Sequence, residues 1–293
     1  MEGRSHTRAT LVLAMPELPE VETMRRGILS IVGSRIADVR TPKSSRRPIT
    51  ISPKGAAFRR RVIGRQIEAV ERAGKRVVVV LDSGDRIVIE PRMTGRILLG
   101  EMPEADFVRM AFDLEGDDRR QLLFCDVRGL GVVRLLSPRQ YVQRLGPEAL
   151  GPDALTIDAD TLRARLSTGR RAIKVALLDQ KAVSGIGNIY ASEILHLAGI
   201  HPATACRRLS RGQWLRLHAA TKAVLEEAVR YEGSTLSDGA YMNARNERGG
   251  YQNHHRVYQR AGQKCRRCVD SQIVRLVQAQ RSTFFCPGCQ SRR

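Results

Sequence analysis

The feature that most constrains this 293-residue sequence is a set of four cysteines near its C-terminus. Cys265 and Cys268 form one Cys-x2-Cys pair, and Cys286 and Cys289 form a second pair after seventeen intervening residues. This spacing is typical of a tetrahedral zinc site with four thiolate ligands. Two disulfides are the alternative, but nothing else in the sequence indicates export. We therefore predict a small C-terminal unit that one structural zinc ion stabilises.

The residues between the two cysteine pairs predict a β-hairpin. Residues 273–277 and 283–285 would be its arms, and residues 278–282 its tip. Arg281 lies in this tip, where an arginine can contact a phosphate backbone or enter a groove of nucleic acid. The two other cysteines, Cys125 and Cys206, are interpreted as ordinary buried residues.

The charge of the chain points to a polyanionic partner. Lys and Arg number 50 against 30 Asp and Glu, a formal net charge of +20 at pH 7. Surfaces charged only for solubility usually mix both signs, so nucleic acid is the favoured partner. The sequence contains no run of eighteen apolar residues, so no membrane span is predicted. The apolar patch at residues 10–14 is too short for a signal peptide. We expect a cytoplasmic protein of bacterial type that associates with the nucleoid through DNA.

Runs of apolar and β-branched residues predict that the chain from Ile36 to about Leu136 is mostly strand. Residues 77–81 and 86–89 flank a turn at 82–85, which is a clear hairpin pattern. Further β-type runs lie at residues 66–70, 96–99, 108–114, 121–125 and 131–136. Six or seven strands at this spacing predict a β-sandwich or a flattened barrel.

The pattern becomes helical after two Gly-Pro pairs within residues 145–152. Helices are predicted at residues 157–166, 173–179 and 190–198, and a long helix is predicted from Ser210, with a capping box to Gln213, to a stop at Gly233. The fold class is thus α+β with two domains. We predict a β-sandwich domain with an N-terminal helix over residues 15–146, a helical domain over 147–255 and the zinc finger over 256–293. Residues 1–14 are interpreted as a disordered leader or a mis-assigned start.

Two polar stretches of the helical half are candidate binding segments. Gly185 and Gly187 allow a tight bend, and Asn188 follows at a predicted helix start, where free N–H groups favour an anion such as a DNA phosphate. An ordinary turn between packed helices is the alternative. Residues 234–251 are interpreted as a long mobile loop, which is either functional or disordered.

Residues 15–28 hold the candidate chemistry. If translation begins at Met15 and that methionine is removed, Pro16 has a free secondary amine next to the carboxylate of Glu17. The pKa of an α-amino group is about 7.7–8.0, so a useful fraction of such amines is unprotonated and nucleophilic at neutral pH. The alternative is that the prolines only begin a helix, predicted over residues 20–32 with Gly33 as its stop.

Together these motifs resemble the formamidopyrimidine-DNA glycosylases, repair enzymes that remove oxidised purines and cleave the abasic site. The resemblance covers the chain from Met15 to its C-terminus. Its motifs are Pro-Glu-Leu-Pro-Glu-Val-Glu at residues 16–22, Gly-Ile-Gly-Asn-Ile-Tyr-Ala-Ser-Glu of a helix–two-turn–helix at 185–193, and Gln-Arg-Ser-Thr-Phe-Phe-Cys of a zinc finger at 280–286. The sister family of endonuclease VIII type typically begins Pro-Glu-Gly-Pro, so the purine branch is favoured.

The resemblance implies a role for each site residue. Pro16 would attack C1′ of the damaged nucleotide and form a Schiff base, and Glu17 would protonate the sugar ring oxygen. Lys75 would contact phosphate and assist β-elimination, and Arg281 would bind phosphate and assist δ-elimination. Further implied DNA contacts are Met93, Arg128, Leu130, Arg170 and Asn188, the first three at the gap that the everted nucleotide leaves.

The resemblance also implies the cofactor and the partner. One structural zinc ion would be held by Cys265, Cys268, Cys286 and Cys289. The partner would be damaged double-stranded DNA, with no organic cofactor. The sequence itself does not reveal the oligomeric state, and nothing in it suggests more than a monomer.

Three single positions and one three-residue stretch depart from the family pattern. Leu130 replaces an aromatic wedge, and Gly129 replaces a second arginine beside it. Glu90 stands where the family usually has histidine, and residues 105–107 replace a histidine-rich stretch that contacts phosphate. A carboxylate near a polyanion is expected to weaken DNA binding unless other arginines compensate. These changes leave the excision chemistry intact and leave lesion preference open.

Three functions therefore remain in view. The prediction is an oxidised-purine glycosylase that acts through a Schiff base on Pro16 and cleaves the strand by β,δ-elimination. The second is an abasic-site lyase or an oxidised-pyrimidine glycosylase of endonuclease VIII type. The third is a catalytically silent DNA-damage-binding protein, in which residues 1–14 block Pro16.

Overall fold

The N-terminal half forms two β-sheets in a computed structural model that describes residues 15–100, 105–116, 120–236, 239 and 241–292. Its strands are β1 Ile36–Arg40, β2 Thr50–Ser52, β3 Ile67–Arg72, β4 Val77–Leu81, β5 Arg86–Glu90, β6 Gly95–Leu99, β7 Val108–Leu114, β8 Gln121–Asp126 and β9 Val132–Leu136. One sheet has the order β1-β7-β8-β6, and the other has the order β2-β9-β5-β4-β3. The predicted sandwich is confirmed, and the seven predicted strands correspond to β3–β9.

The uninterrupted apolar run of β4 follows from burial on both faces. Val77 and Val79 face the core between the sheets, together with Phe112 and Phe124. Val78 joins a second apolar cluster on the outer face of its sheet. Tyr141 and Leu145, from the helix that follows β9, pack against this cluster. A strand that is covered on both sides has no solvent face, so it shows no alternation.

The helices of the chain are α1 Leu18–Gly27, α2 Ala56–Val62, α3 Pro138–Leu145, α4 Ala159–Leu166, α5 Ile173–Leu177, α6 Asn188–Ala198 and α7 Arg211–Arg230. The four predicted helices of the second half are α4–α7. Ser210 caps α7, with Gln213 completing the capping box. α2 and α3 were not predicted from the sequence. No helix in the described ranges is both long and apolar enough to cross a membrane.

The first helix joins the two halves of the molecule, and its predicted bounds were wrong. α1 ends at Gly27, and a short 3-10 turn, Leu29–Ile31, follows it. It starts early because Glu17 and Glu20 form a capping box. Leu18 lies in the core of the helical half, whereas Val21 and Met24 lie in the sandwich core. The N-terminal segment is thereby fixed at the junction of the two halves.

The C-terminal hairpin consists of β10 Val274–Gln278 and β11 Arg281–Phe285. Its turn is narrower than predicted, because only Ala279 and Gln280, both with positive φ, separate the strands. Two such residues match the right-handed twist of a two-residue hairpin loop. Arg281 is therefore the first residue of β11, where it pairs with Gln278.

The predicted loop over residues 234–251 contains no helix or strand in its described part before the 3-10 turn that begins at Tyr251. Ser234 and Asn243 are buried, and Tyr241 and Ala244 join the sandwich core. A side chain at Gly27 of α1 would overlap Ala244. The described part of this loop is thus packed against the first helix. Residues 237, 238 and 240 lie outside the described residues, as do residues 1–14.

Candidate active site and nucleic-acid interface

Pro16 and Glu17 are buried where the N-terminal segment meets the start of α6. The Glu17 carboxylate accepts hydrogen bonds from the backbone N–H of Ile189 at 2.9 Å and of Tyr190 at 3.4 Å. A side chain at Gly187 would overlap this carboxylate. The two-glycine turn therefore lets the chain's own N-terminal segment approach the helix. The anion at this helix start is Glu17 itself, where the sequence had suggested a DNA phosphate.

Glu20 supports Glu17 from the next turn of α1. Its carboxylate accepts hydrogen bonds from the Glu17 N–H at 2.9 Å, from the Tyr190 hydroxyl at 2.5 Å and from the Ser234 N–H at 2.8 Å. Burial, and then the nearby Glu17 charge, raise the pKa of Glu20 to about 7. This role was not predicted from the sequence, although the capping-box spacing of the two glutamates was a signal for it.

The charges of Glu17 and Arg281 both act on Lys75. Burial raises the pKa of the Glu17 carboxyl, while the Lys75 ammonium and backbone hydrogen bonds oppose this rise. Burial lowers the pKa of Lys75; Glu17 opposes the shift, and Arg281 adds to it. The Glu17 carboxyl thus retains its proton to higher pH, the Lys75 ammonium releases its proton at lower pH, and each charge opposes the shift of the other.

Lys174 completes this group and was not found from the sequence. It is fully buried, and its ammonium donates to Asn188 Oδ1 at 2.5 Å and to the Ser282 carbonyl at 3.4 Å. Asn188 also donates to the Ser282 carbonyl, at 3.0 Å. Burial and the Arg281 charge lower the pKa of Lys174 to about 8. The signal was a lysine within the apolar run of α5. We define the junction cluster by the residues Pro16, Glu17, Lys75, Lys174, Asn188 and Arg281.

A second group lies on two loops of the sandwich, residues 91–95 and 126–131, which we name the insertion loops. Arg128 Nη1 lies 3.5 Å from the Met93 sulfur, so the structure brings these two predicted site residues together. Buried Asp126 fixes the base of the loops, because it accepts hydrogen bonds from Thr94, from the Arg128 N–H at 3.0 Å and from the Gly131 N–H at 2.6 Å. Arg128 is exposed, and Leu130 is half-buried.

The departures from the family pattern have local explanations. Gly129 has a φ of +63°, and a side chain there would overlap the Arg47 carbonyl, so another basic segment passes over this position. Asp106 forms an ion pair with Arg46 of that same segment at 2.9 Å. Glu90 is surrounded by arginines.

Arg170 is exposed between α4 and α5 and makes no hydrogen bond or ion pair with another described residue, so the structure does not join it to the junction cluster.

The four C-terminal cysteines fit one zinc ion. Their Sγ atoms lie within 4.8 Å of one another, with Cys265 and Cys289 at 3.8 Å and Cys268 and Cys286 at 3.5 Å. A tetrahedral ion with Zn–S bonds of about 2.3 Å requires S–S separations of about 3.8 Å, whereas a disulfide requires about 2.05 Å. The predicted zinc site is confirmed, and the zinc is structural. Cys125 and Cys206 are buried, as predicted.

A β-sandwich, a helical unit and a zinc hairpin that meet at buried carboxyls, a buried lysine and a half-buried one define the class of zinc-finger DNA repair glycosylases. Three family models match the chain: "Formamidopyrimidine-DNA glycosylase N-terminal domain" at residues 15–133, "Formamidopyrimidine-DNA glycosylase H2TH domain" at 145–239, and "Zinc finger found in FPG and IleRS" at 262–292. The chain belongs to the formamidopyrimidine-DNA glycosylase family. It is a DNA glycosylase of base-excision repair with the abasic-site lyase activity of that family, and its partner is DNA.

Known relatives support this assignment over 94% of the chain. The formamidopyrimidine-DNA glycosylase of Chloroflexus aggregans is 42% identical over 94% of this chain and 98% of its own length. Wild-type Lactococcus lactis Fpg, solved with DNA containing N7-benzyl-Fapy-dG, is 30% identical with a TM-score of 0.83, over 94% of this chain and 100% of that one. The same protein solved with DNA containing an oxidised pyrimidine has a TM-score of 0.82, with the same identity and coverage.

Proposed function

We propose that the chain excises damaged bases through the amine of Pro16. The observation that carries this proposal is the Glu17 carboxyl, which follows Pro16 directly, is buried against the start of α6 and has a raised pKa that the Lys75 charge opposes. The amine attacks C1′ and the bond from C1′ to the base breaks, with the departing base taking up the amine proton. The freed nitrogen lone pair then expels the ring oxygen, which takes the Glu17 proton, and the opened sugar is left as an iminium Schiff base on Pro16.

Strand cleavage follows from the same intermediate. The Schiff base acidifies the proton on C2′, and its removal expels the 3′ phosphate by β-elimination. A second elimination expels the 5′ phosphate, and water releases the sugar fragment from Pro16. We assign Lys75 to the β-elimination and Arg281 to the δ-elimination, because both charges act within the junction cluster. No redox cofactor is required.

This mechanism requires a free amine on Pro16. In the full sequence Met15 precedes Pro16, so its nitrogen belongs to an amide without nucleophilic character. We propose that the active form begins at Pro16. The match of the family's N-terminal model, which begins at residue 15, supports this proposal.

Borohydride trapping tests the mechanism. Three proteins are compared on duplex DNA that contains 8-oxoguanine: one beginning at Pro16, the same protein with Pro16→Gly and an acetylated amine, and the full 293-residue chain as the matched control. We expect a covalent protein–DNA adduct only with the first. An adduct of equal yield from the acetylated variant would refute the assignment to this amine.

We propose DNA-contacting roles for five residues outside the catalytic step. Asn188 and Arg170 contact phosphates of the damaged strand. Met93, Arg128 and Leu130 enter the gap left by the everted nucleotide, since Met93 and Arg128 already touch each other at the exposed ends of the insertion loops. Everting a nucleotide costs a few kcal/mol, and side chains that fill the gap offset this cost.

The proposed substrate class is oxidised purines, namely 8-oxoguanine and formamidopyrimidines. Oxidised pyrimidines are the second candidate, favoured by Leu130 in place of an aromatic wedge and by the Lactococcus lactis complex with an oxidised pyrimidine. Single-turnover excision rates on duplexes with one lesion each would separate the two classes. A faster rate on 5-hydroxycytosine than on 8-oxoguanine would reverse the order proposed here.

We further propose that the protein acts as a monomer in the cytoplasm, without an organic cofactor. Its units would be the sandwich over residues 15–146, the helical domain over 147–255 and the zinc finger over 256–293. Sedimentation of the protein alone and on a short abasic duplex would test the first point, because a dimer would double the mass in both samples.

A further inference from the structure

One buried carboxylate of the sandwich holds three arginines. Glu90 lies at the end of β5, and its side chain is only 11% exposed. Its carboxylate lies 3.2 Å from Arg76 Nε, 2.8 Å from Arg92 Nε and 3.6 Å from Arg134 Nη1. The three arginines come from the β3–β4 turn, from the first insertion loop and from β9, so Glu90 connects three separate parts of the chain.

The three arginines carry more positive charge than Glu90 neutralises, and some of their N–H donors have no partner in the described residues. Three guanidinium groups and one carboxylate leave a formal charge of about +2. Arg76 and Arg92 meet Glu90 through Nε, and their Nη nitrogens make no hydrogen bond with any other residue in the described ranges. The arginine side chains are 24%, 45% and 29% exposed in chain order, so solvent and a ligand can reach them. Planar forks of this kind match the oxygens of a phosphate.

The position of the group connects the two parts of the site. Arg76 directly follows Lys75, and its charge acts on the Lys75 ammonium. Arg92 directly precedes Met93 and adopts a φ of +58°, an uncommon conformation for a residue with a side chain. The ion pair with Glu90 holds Arg92 in this turn. A phosphate bound here would therefore lie between the junction cluster and the first insertion loop.

We propose that Arg76, Arg92 and Arg134 form a further binding site for a phosphodiester of the DNA, and that Glu90 is its positioning residue. Glu90 does not contact DNA; it fixes three guanidinium groups that would otherwise repel one another and spread apart. The sequence predicted that this carboxylate weakens DNA binding. In the proposed role it strengthens DNA binding instead. The proposal deepens the DNA-binding function and does not depend on the chemistry at Pro16.

The sign of one substitution tests the proposal. In Glu90→Gln, removing a negative charge should tighten DNA binding if Glu90 only repels phosphate. If Glu90 positions the arginines, the dissociation constant should rise about tenfold, the equivalent of one lost charge-assisted contact. Fluorescence anisotropy would measure binding to a duplex with a tetrahydrofuran abasic analogue, which cannot be cleaved. The matched control is Glu148→Gln, which removes the same charge at an exposed position and should leave binding unchanged or slightly tighter.

The salt dependence gives a second readout that a general loss of structure would not imitate. Each lost phosphate contact should reduce the slope of log Kd against log salt by about one. We expect this reduction in Glu90→Gln and also in Arg92→Gln, whose exposed side chain can change without disturbing the core. Glu90→Asp, which keeps the charge, should restore part of the affinity.

The proposal is overturned if Glu90→Gln binds as tightly as the unmodified protein or more tightly, or if Arg92→Gln leaves the salt slope unchanged. The Pro16 mechanism is judged separately by borohydride trapping at saturating DNA. Failure to trap in the unmodified protein would refute that mechanism and leave the binding comparison intact.

Discussion

The junction cluster and the insertion loops show two ways of building one DNA site. In the junction cluster, Glu17 and Lys174 are buried and hydrogen-bonded before any DNA is present. In the insertion loops, the buried groups lie only at the base, and Arg128 reaches solvent. Proton transfer and nucleophilic attack need preorganised groups, whereas filling the gap of an everted nucleotide needs side chains that can enter DNA. We therefore expect changes in the two regions to differ in size.

The largest expected effect comes from the zinc finger that holds the Ser282 carbonyl against Lys174 and Asn188. Cys268→Ser should release the zinc and abolish DNA binding, because the hairpin depends on the metal for its structure. Zinc content by atomic absorption and a gel shift on an abasic duplex would measure both effects. Unchanged affinity in a zinc-free variant would show that the finger has no part in the site.

A large effect is also expected where the N-terminal segment approaches α6. Gly187→Ala adds a methyl group that overlaps the Glu17 carboxylate, so excision should slow about 1000-fold, as for loss of a general acid. The matched control is Gly212→Ala in α7, where a Cβ meets only Arg216 Nη1 at 3.9 Å. Single-turnover excision of 8-oxoguanine would measure both variants. Equal rates would mean that Glu17 does not need its place at the helix start.

The buried carboxyl of Glu20 predicts a pH dependence of stability. Its pKa is about 7 in the folded protein against an ordinary glutamate pKa of 4.5, so the folded state binds more protons between these values. The free energy of unfolding contributed by Glu20 is therefore fully present below pH 4.5 and falls as pH rises, by about 3 kcal/mol up to pH 7.

Glu20→Gln should remove this fall in the free energy of unfolding with rising pH. Urea denaturation at several pH values would measure it. The control is Glu148→Gln, an exposed glutamate, which should keep the pH profile of the unmodified protein. Parallel profiles for Glu20→Gln and the unmodified protein would contradict the burial argument.

The smallest effect is expected in the insertion loops. Leu130→Phe restores an aromatic wedge and should speed excision opposite cytosine about fivefold, because an aromatic contact contributes about 1 kcal/mol. The half-buried side chain leaves the ring room to reach DNA. Single-turnover rates opposite cytosine would test this point. An unchanged rate would mean that the wedge does not limit excision, and a change as large as that of Gly187→Ala would remove the distinction between the two regions.

Some features of this protein were determined by the sequence alone. Cysteine spacing predicted the zinc site, because four thiolates at that spacing have one common metal geometry. Runs of apolar and β-branched residues predicted strands β3–β9, and capping signals predicted α7, because these patterns are local. The roles of Pro16, Glu17 and Arg281 remain predictions that the geometry supports.

Other features were decided only by the tertiary structure. The helix start at Gly187 binds Glu17, which lies far away in sequence, and no local pattern could indicate this partner. The same holds for Lys174. Its neighbours in the sequence are apolar, and they give no sign that its ammonium will donate to Asn188 and to the Ser282 carbonyl. Glu90 was expected to oppose DNA binding, but folding surrounds it with three arginines from separate strands and loops. The physical reason is common to all three: the effect of a charge depends on the charges that packing brings to it, and those come from distant parts of the chain.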